Sequence, residues 1–222
     1  MKKLLLLTTV LMVSLSSALN AQAPKYSEYY YQRVSLFKIL PIDSNDIVFI
    51  GNSITDYAEW AEIFNNPNVK NRGISGDVTM GLYDRLDPII KGKPAKIFLM
   101  IGVNDLAKTS VPDSIAGNIR KIADKIMTET PTTKLYIQSI LPVNDIFQKQ
   151  LAKTTKSDVI DQINKILEIM CKEKGITYID INSSLKEKNG IKLDTAYSND
   201  GLHLMADGYM IWKKIIEKYV QN

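Results

Sequence analysis

The stretch DIVFIGNSITDYAEW, residues 46–60, decides the fold. Its first half is a short apolar run rich in β-branched and aromatic residues, too short for a buried helix and bounded by a glycine, so it predicts a buried strand. Gly51 supplies a tight turn, and Asn52-Ser53-Ile54-Thr55-Asp56 opens a helix. Four further runs of the same kind follow: VKNRGI (69–74), AKIFLMIG (95–102), KLYIQSI (134–140) and ITYIDI (176–181). Amphipathic stretches separate them. Ile115, Ile119, Ile122 and Ile126 line one helical face; Val159, Ile163, Ile166 and Met170 line another, with Ile160, Leu167 and Cys171 alongside; Trp212, Ile215, Ile216 and Tyr219 line a third. Near-continuous apolar strands alternating with helices predict an α/β protein whose parallel sheet is covered on both faces. The 222 residues, 45% of them hydrophobic, suffice for one well-buried core. With no repeat, low-complexity tract or Pro/Gly-rich linker, residues 24–222 read as a single domain.

The first residues form a different unit. Lys2 and Lys3 precede an apolar run from Leu4 to Leu15, and Ala21-Gln22-Ala23 has the small-x-small pattern of a signal-peptidase site. Residues 1–23 are therefore expected to be a signal peptide, with the mature chain exported to the periplasm or outside the cell. The run is too short to span a bilayer, and no later segment reads as transmembrane. No cysteine follows it to take a lipid. Of 28 basic residues two leave with the leader, against 24 acidic ones, so the mature net charge is +2. That balance gives no electrostatic case for nucleic acid or an anionic membrane as partner. The lone Cys171 lies on an apolar helical face and is expected to be buried and inert.

In parallel α/β sheets ligands gather beyond the carboxyl ends of the strands. The pieces IGNSIT, GISGD, IGVND and LPVND each follow a strand there, and SNDGLH follows the fifth after a longer connection. Ser53 sits between a strand end and a helix start, where backbone N–H groups favour developing negative charge; as a nucleophile it needs a base within reach. Ser53-x-x-Asp56 also has the form of a capping box. His203 is the only histidine, three residues after Asp200, close enough for a carboxylate to orient the imidazole; Asn199-Asp200-Gly201 is equally turn chemistry. Gly76 lets backbone approach a ligand, or serves a turn. Asn104 offers an amide donor, or an N-cap. One histidine and a buried cysteine do not make a zinc site, so no metal and no cofactor is expected. No G-x-G-x-x-G follows the first strand, and G-x-S-x-G fails at Thr55.

Order and spacing bring these pieces together. Gly51-Asn52-Ser53-Ile54, the NRGISGD block with Gly76, the GVND block with Asn104, and Asp200-Gly201-Leu202-His203 near the end resemble the SGNH, or GDSL-type, hydrolase family across almost the whole mature chain. The YYYQR, GNSIT...W and NRGISGD blocks look most like the branch related to the platelet-activating-factor acetylhydrolase catalytic subunit. The resemblance implies a three-layer α/β/α flavodoxin-like sandwich with a five-stranded parallel sheet. It implies a serine esterase in which Ser53, Asp200 and His203 are catalytic. The backbone N–H groups of Ser53 and Gly76 and the Asn104 amide would form the oxyanion hole. Asn52 and Ile54 replace the aspartate and leucine of the name-giving block without removing a catalytic group.

The expected substrate is a small-molecule or glycan ester, foremost a short acyl ester such as an O-acetylated carbohydrate. Lysophospholipid or thioester hydrolysis on longer acyl chains is the alternative, and a catalytically silent glycan-binding module a third. Tyr57 and Trp60, just after the serine, either line the site or pack a short helix. The 141–157 segment is expected to shape the pocket.

Overall fold

The computed structural model describes residues 25–188 and 190–221; the expected leader lies outside them. Five strands form one all-parallel sheet in the order β2-β1-β3-β4-β5. They are β1 (Ile47–Gly51), β2 (Val69–Gly73), β3 (Lys96–Met100), β4 (Lys134–Gln138) and β5 (Thr177–Ile179). Each sits inside one of the five apolar runs of the sequence, trimmed by one to three residues in all. Helices occupy the connections: α1 (Glu28–Ile39), α2 (Ser53–Asp56), α3 (Trp60–Ile63), α4 (Thr79–Asp84), α5 (Asp87–Ile90), α6 (Pro112–Glu129), α7 (Leu151–Thr154), α8 (Ser157–Lys174) and α9 (Ala206–Gln221). None of the described helices is long and apolar enough to cross a membrane.

The pleat sorts the core into two faces. Phe49, Phe98 and Tyr136 are in register across β1, β3 and β4 and stack at 4.8 and 4.6 Å between ring centroids. Trp60 of α3 stacks on Phe49 at 4.3 Å, and Trp212 of α9 meets Trp60 edge-on at 4.7 Å. Val48, Ile50, Ile97, Leu99 and Ile137 point the other way and are also buried. Ile115, Ile119, Ile122 and Ile126 of α6 and Ile160, Ile163, Leu167, Met170 and Cys171 of α8 are buried in the same core. The result is a three-layer α/β/α sandwich, as the apolar strands and one-faced helices require.

Burial pushes the Cys171 thiol up to about 12, which keeps it protonated and unreactive at neutral pH. The N-terminal α1 has no counterpart in the periodicity. It buries Tyr30 and Phe37 in a separate small cluster with Ile74, so its contact is two residues seven apart rather than a continuous stripe.

Register positions the site. Gly51 is level with Gly73 of β2 and with Met100 of β3. The turns carrying Ser53, Gly76 and Asn104 therefore leave one edge of the sheet at the same height.

Candidate active site

At the end of β1 the chain turns directly into α2. Asn52 Oδ1 accepts a hydrogen bond from the Ile54 N–H at 3.1 Å and caps the helix. The capping-box reading of Ser53 is thus corrected: the residue before it takes that role, and Ser53 Oγ points elsewhere. Asp56 is also engaged elsewhere, accepting from the Ser75 N–H at 3.1 Å and the Tyr29 hydroxyl at 2.9 Å. Asn52 is 1% exposed, so the side chain that replaces the family aspartate is a buried structural cap.

Ser53 Oγ lies 3.0 Å from Nε2 of His203, and Nδ1 of His203 lies 2.6 Å from Asp200 Oδ2. The other oxygen, Asp200 Oδ1, accepts from the backbone N–H groups of Leu202 at 2.9 Å and His203 at 2.8 Å. The carboxylate is thus fixed by its own turn while facing the imidazole. Burial works against its charge, but the hydrogen bonds from the His203 side chain and from the His203 and Leu202 backbone outweigh it and hold the Asp200 carboxyl below its ordinary value. An ionised Asp200 makes Nδ1 the protonated nitrogen, leaving Nε2 to accept from Ser53. The turn needs Gly201. Its φ is +80°, and a Cβ there would collide with the Asn144 carbonyl, while its own carbonyl accepts from the Asn144 N–H at 2.8 Å.

Among the described residues, three N–H groups at this edge of the sheet have a hydrogen to spare. Ser53 N–H opens a helix and has no intrahelical acceptor. Among the described residues neither it nor the Gly76 N–H donates to another group. Gly76 has φ +80° and open space where a side chain would stand. Asn104 Nδ2 gives one hydrogen to the Asp77 carbonyl at 2.9 Å, and Asn104 Oδ1 accepts from Lys153 Nζ at 3.1 Å. A carbonyl on one side and an ammonium on the other fix which amide atom is which, leaving the second Nδ2 hydrogen unspent. Asn104 makes no side-chain cap for the 3₁₀ turn that follows it.

Several supporting residues carry no sequence signal that a single chain could reveal. Arg85 is buried and ties the ends of β1 and β2 to the turn that carries Asp77. Its Nε donates to Asp77 Oδ2 at 2.8 Å, and its terminal nitrogens donate to the carbonyls of Arg72 at 2.8 Å and Gly51 at 3.0 Å. Burial pushes the Asp77 carboxyl up to about 6 even against the pull of that guanidinium. Asp105, next to Asn104, accepts from the Thr79 N–H at 3.0 Å and the Thr79 hydroxyl at 2.5 Å, anchoring the start of α4. Lys153, the ammonium on Asn104, comes from the 141–157 segment expected to shape the pocket. Of the two aromatics that either line the site or pack a short helix, Tyr57 faces the site: it is 55% exposed, with its ring 5.0 Å from that of His203. Trp60 does not. It is 1% exposed, stacked on Phe49, with Nε1 donating to the Thr55 carbonyl.

A chain of serine, imidazole and carboxylate with unspent N–H groups at the same edge of the sheet can carry out acyl transfer. The chain is similar to known proteins. Residues 49–211 match the GDSL-like lipase/acylhydrolase family. The chain is 27% identical over 171 residues to platelet-activating factor acetylhydrolase IB subunit alpha2 of Rattus norvegicus, covering 74% of this chain and 71% of that one. Among solved structures, a Streptococcus pneumonia protein described as a platelet activating factor superposes with a TM-score of 0.78 at 27% identity, over 86% of this chain and 92% of that one. An acetylxylan esterase of Geobacillus stearothermophilus shares the fold, with a TM-score of 0.60 at 21% identity over 82% and 96% of the two chains. The chain belongs to the GDSL-like lipase/acylhydrolase family and is a carboxylic ester hydrolase.

Proposed function

We propose that this chain is an exported serine esterase that removes short acyl groups, foremost acetyl, from O-acylated small molecules or carbohydrates through an acyl-enzyme. The observation that carries the reading is the unbroken hydrogen-bonded line from Ser53 through His203 to Asp200, 3.0 and 2.6 Å long. Ser53 Oγ attacks the ester carbonyl carbon while its proton passes to Nε2 of His203. The carbonyl oxygen becomes an oxyanion, held by the N–H groups of Ser53 and Gly76 and by the free amide hydrogen of Asn104. Collapse of the tetrahedral adduct breaks the bond to the alcohol oxygen, which leaves with the proton from His203. Water then attacks the acyl-Ser53 carbonyl and gives His203 one proton. The acid departs, and that proton returns to Ser53. Asp200 stays ionised throughout and steadies the imidazolium.

Two relatives support the acyl class: the rat protein is named an acetylhydrolase and the Geobacillus protein an acetylxylan esterase. Export rests on the basic start and apolar run of residues 1–23. The test is a series of acyl esters from two to twelve carbons, with O-acetylated sugars beside them, hydrolysed by the mature chain and by Ser53→Ala. Turnover should be highest on the shortest acyl groups. Ser53→Ala should lose roughly 10⁶ in turnover, the size seen when a triad nucleophile is removed. A folded Ser53→Ala variant with a tenth of the parent activity would remove Ser53 from the chemistry. A rate that climbs with chain length would move the substrate to lysophospholipids or long-chain thioesters.

A further inference from the structure

A cavity of about 350 Å³ opens beside Gly76 and Asn104, and Lys25, Tyr26, Lys108 and Lys153 are also on its wall. Its size falls in the lower range for small-molecule sites, about 300–1,000 Å³. The ionisable groups around it are unequal. Asp77 contributes to the lining, but its carboxylate has no exposed surface and is bound to Arg85 at 2.8 Å. Lys25 is neutralised by Asp84 at 2.6 Å. Among the described residues Lys108 and Lys153 have no carboxylate at ion-pair distance. Lys108 is exposed and Lys153 is half-buried. The hydrogen bond Lys153 makes is to a neutral acceptor, the Asn104 amide oxygen, and an ammonium has three donors. Burial pulls the Lys153 pKa down, opposed by the charge of Asp200. A partly desolvated ammonium with no carboxylate in contact forgoes part of water's solvation, and an anion arriving from outside would restore it.

We infer that this cavity is a carboxylate subsite: the preferred esters carry a carboxylate on the same molecule as the scissile bond, held by Lys153 with Lys108 at the rim. The inference rests on the reading above, in which Asn104 and Gly76 flank the reacting carbonyl, and adds the class of substrate to it. The carboxylate can belong to the alcohol, as in an acetylated acidic sugar, or to the acyl group, as in the half-ester of a dicarboxylic acid. Lys153 also touches the proposed oxyanion donor, so its loss should slow every ester. The readout that separates recognition from positioning is a ratio. The oxyanion charge is the same for neutral and anionic esters, and only recognition distinguishes them.

The test compares kcat/KM within two size-matched pairs. One is acetylated galacturonic acid against acetylated galactose; the other is the 4-nitrophenyl half-ester of adipic acid, whose carboxylate is too far along the chain to close a five- or six-membered anhydride on its own ester, against 4-nitrophenyl heptanoate. The parent enzyme should prefer the anionic member of at least one pair by roughly ten-fold at low salt, as for a hydrogen bond to a charged group. The pair that responds identifies the side carrying the carboxylate. The preference should shrink as salt is added. Lys153→Met should bring the ratio to about one, Lys153→Arg should keep most of it, and Lys108→Met should lower it partway. In the parent enzyme free galacturonate should inhibit competitively where galactose does not, a measurement that requires no variant to fold. Hydrolysis of the neutral esters with no anionic preference in either pair overturns the subsite while leaving the esterase standing. A Lys153→Met variant that retains the parent ratio also overturns it. Failure to hydrolyse all four esters overturns the esterase reading, and the subsite with it.

Discussion

Two segments border the candidate site and are built in opposite ways. In the turn from β1 into α2, Gly51 through Thr55 are all buried, and the conformation is set by the sheet edge, the Asn52 cap and the Arg85 clamp. The segment from Asn144 to Thr154 is mostly on the surface. Ile146 is 64% exposed, and Gln148 and Gln150 hold left-handed backbone at φ +53° and +51°. Its ties to the rest of the fold come from a few residues: Asn144 bonds to Gly201, Leu193 and Glu187, Asp145 pairs with Lys192, and Lys153 reaches Asn104. The first segment carries the hydroxyl proposed to react; the second carries Lys153. Rigid backbone holds the reacting atom to a fraction of an ångström, which chemistry requires. A loop on that scaffold can change its side chains without disturbing the fold, which suits recognition.

After loss of the serine itself, Asp200→Asn is the most severe test of the line that the rigid segment feeds, because Asp200 holds the imidazole that faces Ser53. The amide can fill the same space and keep the turn, but it no longer favours the Nδ1 proton of His203. Turnover should fall by about 10⁴, the loss seen when a triad aspartate becomes asparagine, with a measurable residue. Steady-state kinetics on a two-carbon ester decide it. A fall of less than ten-fold would mean that the turn backbone alone orients the imidazole.

The oxyanion side should respond less. Asn104→Ala removes one donor and should lower kcat by about 10²–10³. The Michaelis constant should change much less, because the donor matters most once the charge has developed. An effect confined to the Michaelis constant would place Asn104 with Lys153 in recognition rather than in catalysis.

The same contrast explains what could be read from the sequence. The central strands β1, β3 and β4 were legible as short apolar runs buried along nearly their whole length, whereas the edge strands β2 and β5 are only partly buried and were marked by their place between the helical stretches. The serine, aspartate and histidine were legible because family order and spacing mark them. The α1 helix was not: Tyr30 and Phe37 are buried, but exposed Tyr29, Tyr31, Leu36 and Ile39 surround them and erase the stripe. For Trp60 the sequence left two roles open, lining the site or packing a short helix, and one turn of helix carries it onto Phe49 in the core. Lys153 and Arg85 had no signal, because their roles depend on partners 49 and 34 residues away. Contacts that close over such distances are set by the finished fold, not by any local pattern.

The smallest effect probes the seam between the two segments, the turn where Asp200 meets His203 and where Gly201 bonds to Asn144. The Asp200 carboxyl is held below its ordinary value in the folded protein, so in acid the unfolded chain binds the proton first. Its contribution to stability is therefore complete above the unfolded carboxylate value of about 3.9 and is lost as pH falls through the lower folded value. Asp200→Asn removes that contribution at every pH. The urea midpoints of the parent and the variant should differ at pH 5 and converge as the pH is brought towards 3. Because the side chain is partly in contact with solvent, at 18% exposure, the gap itself should be modest. Convergence would show that the hydrogen-bonded carboxylate, rather than the shape of the turn, stabilises the seam. A gap that stayed constant or widened between pH 5 and 3 would assign that stability to Gly201 and Asn144 and leave Asp200 with an orienting role alone.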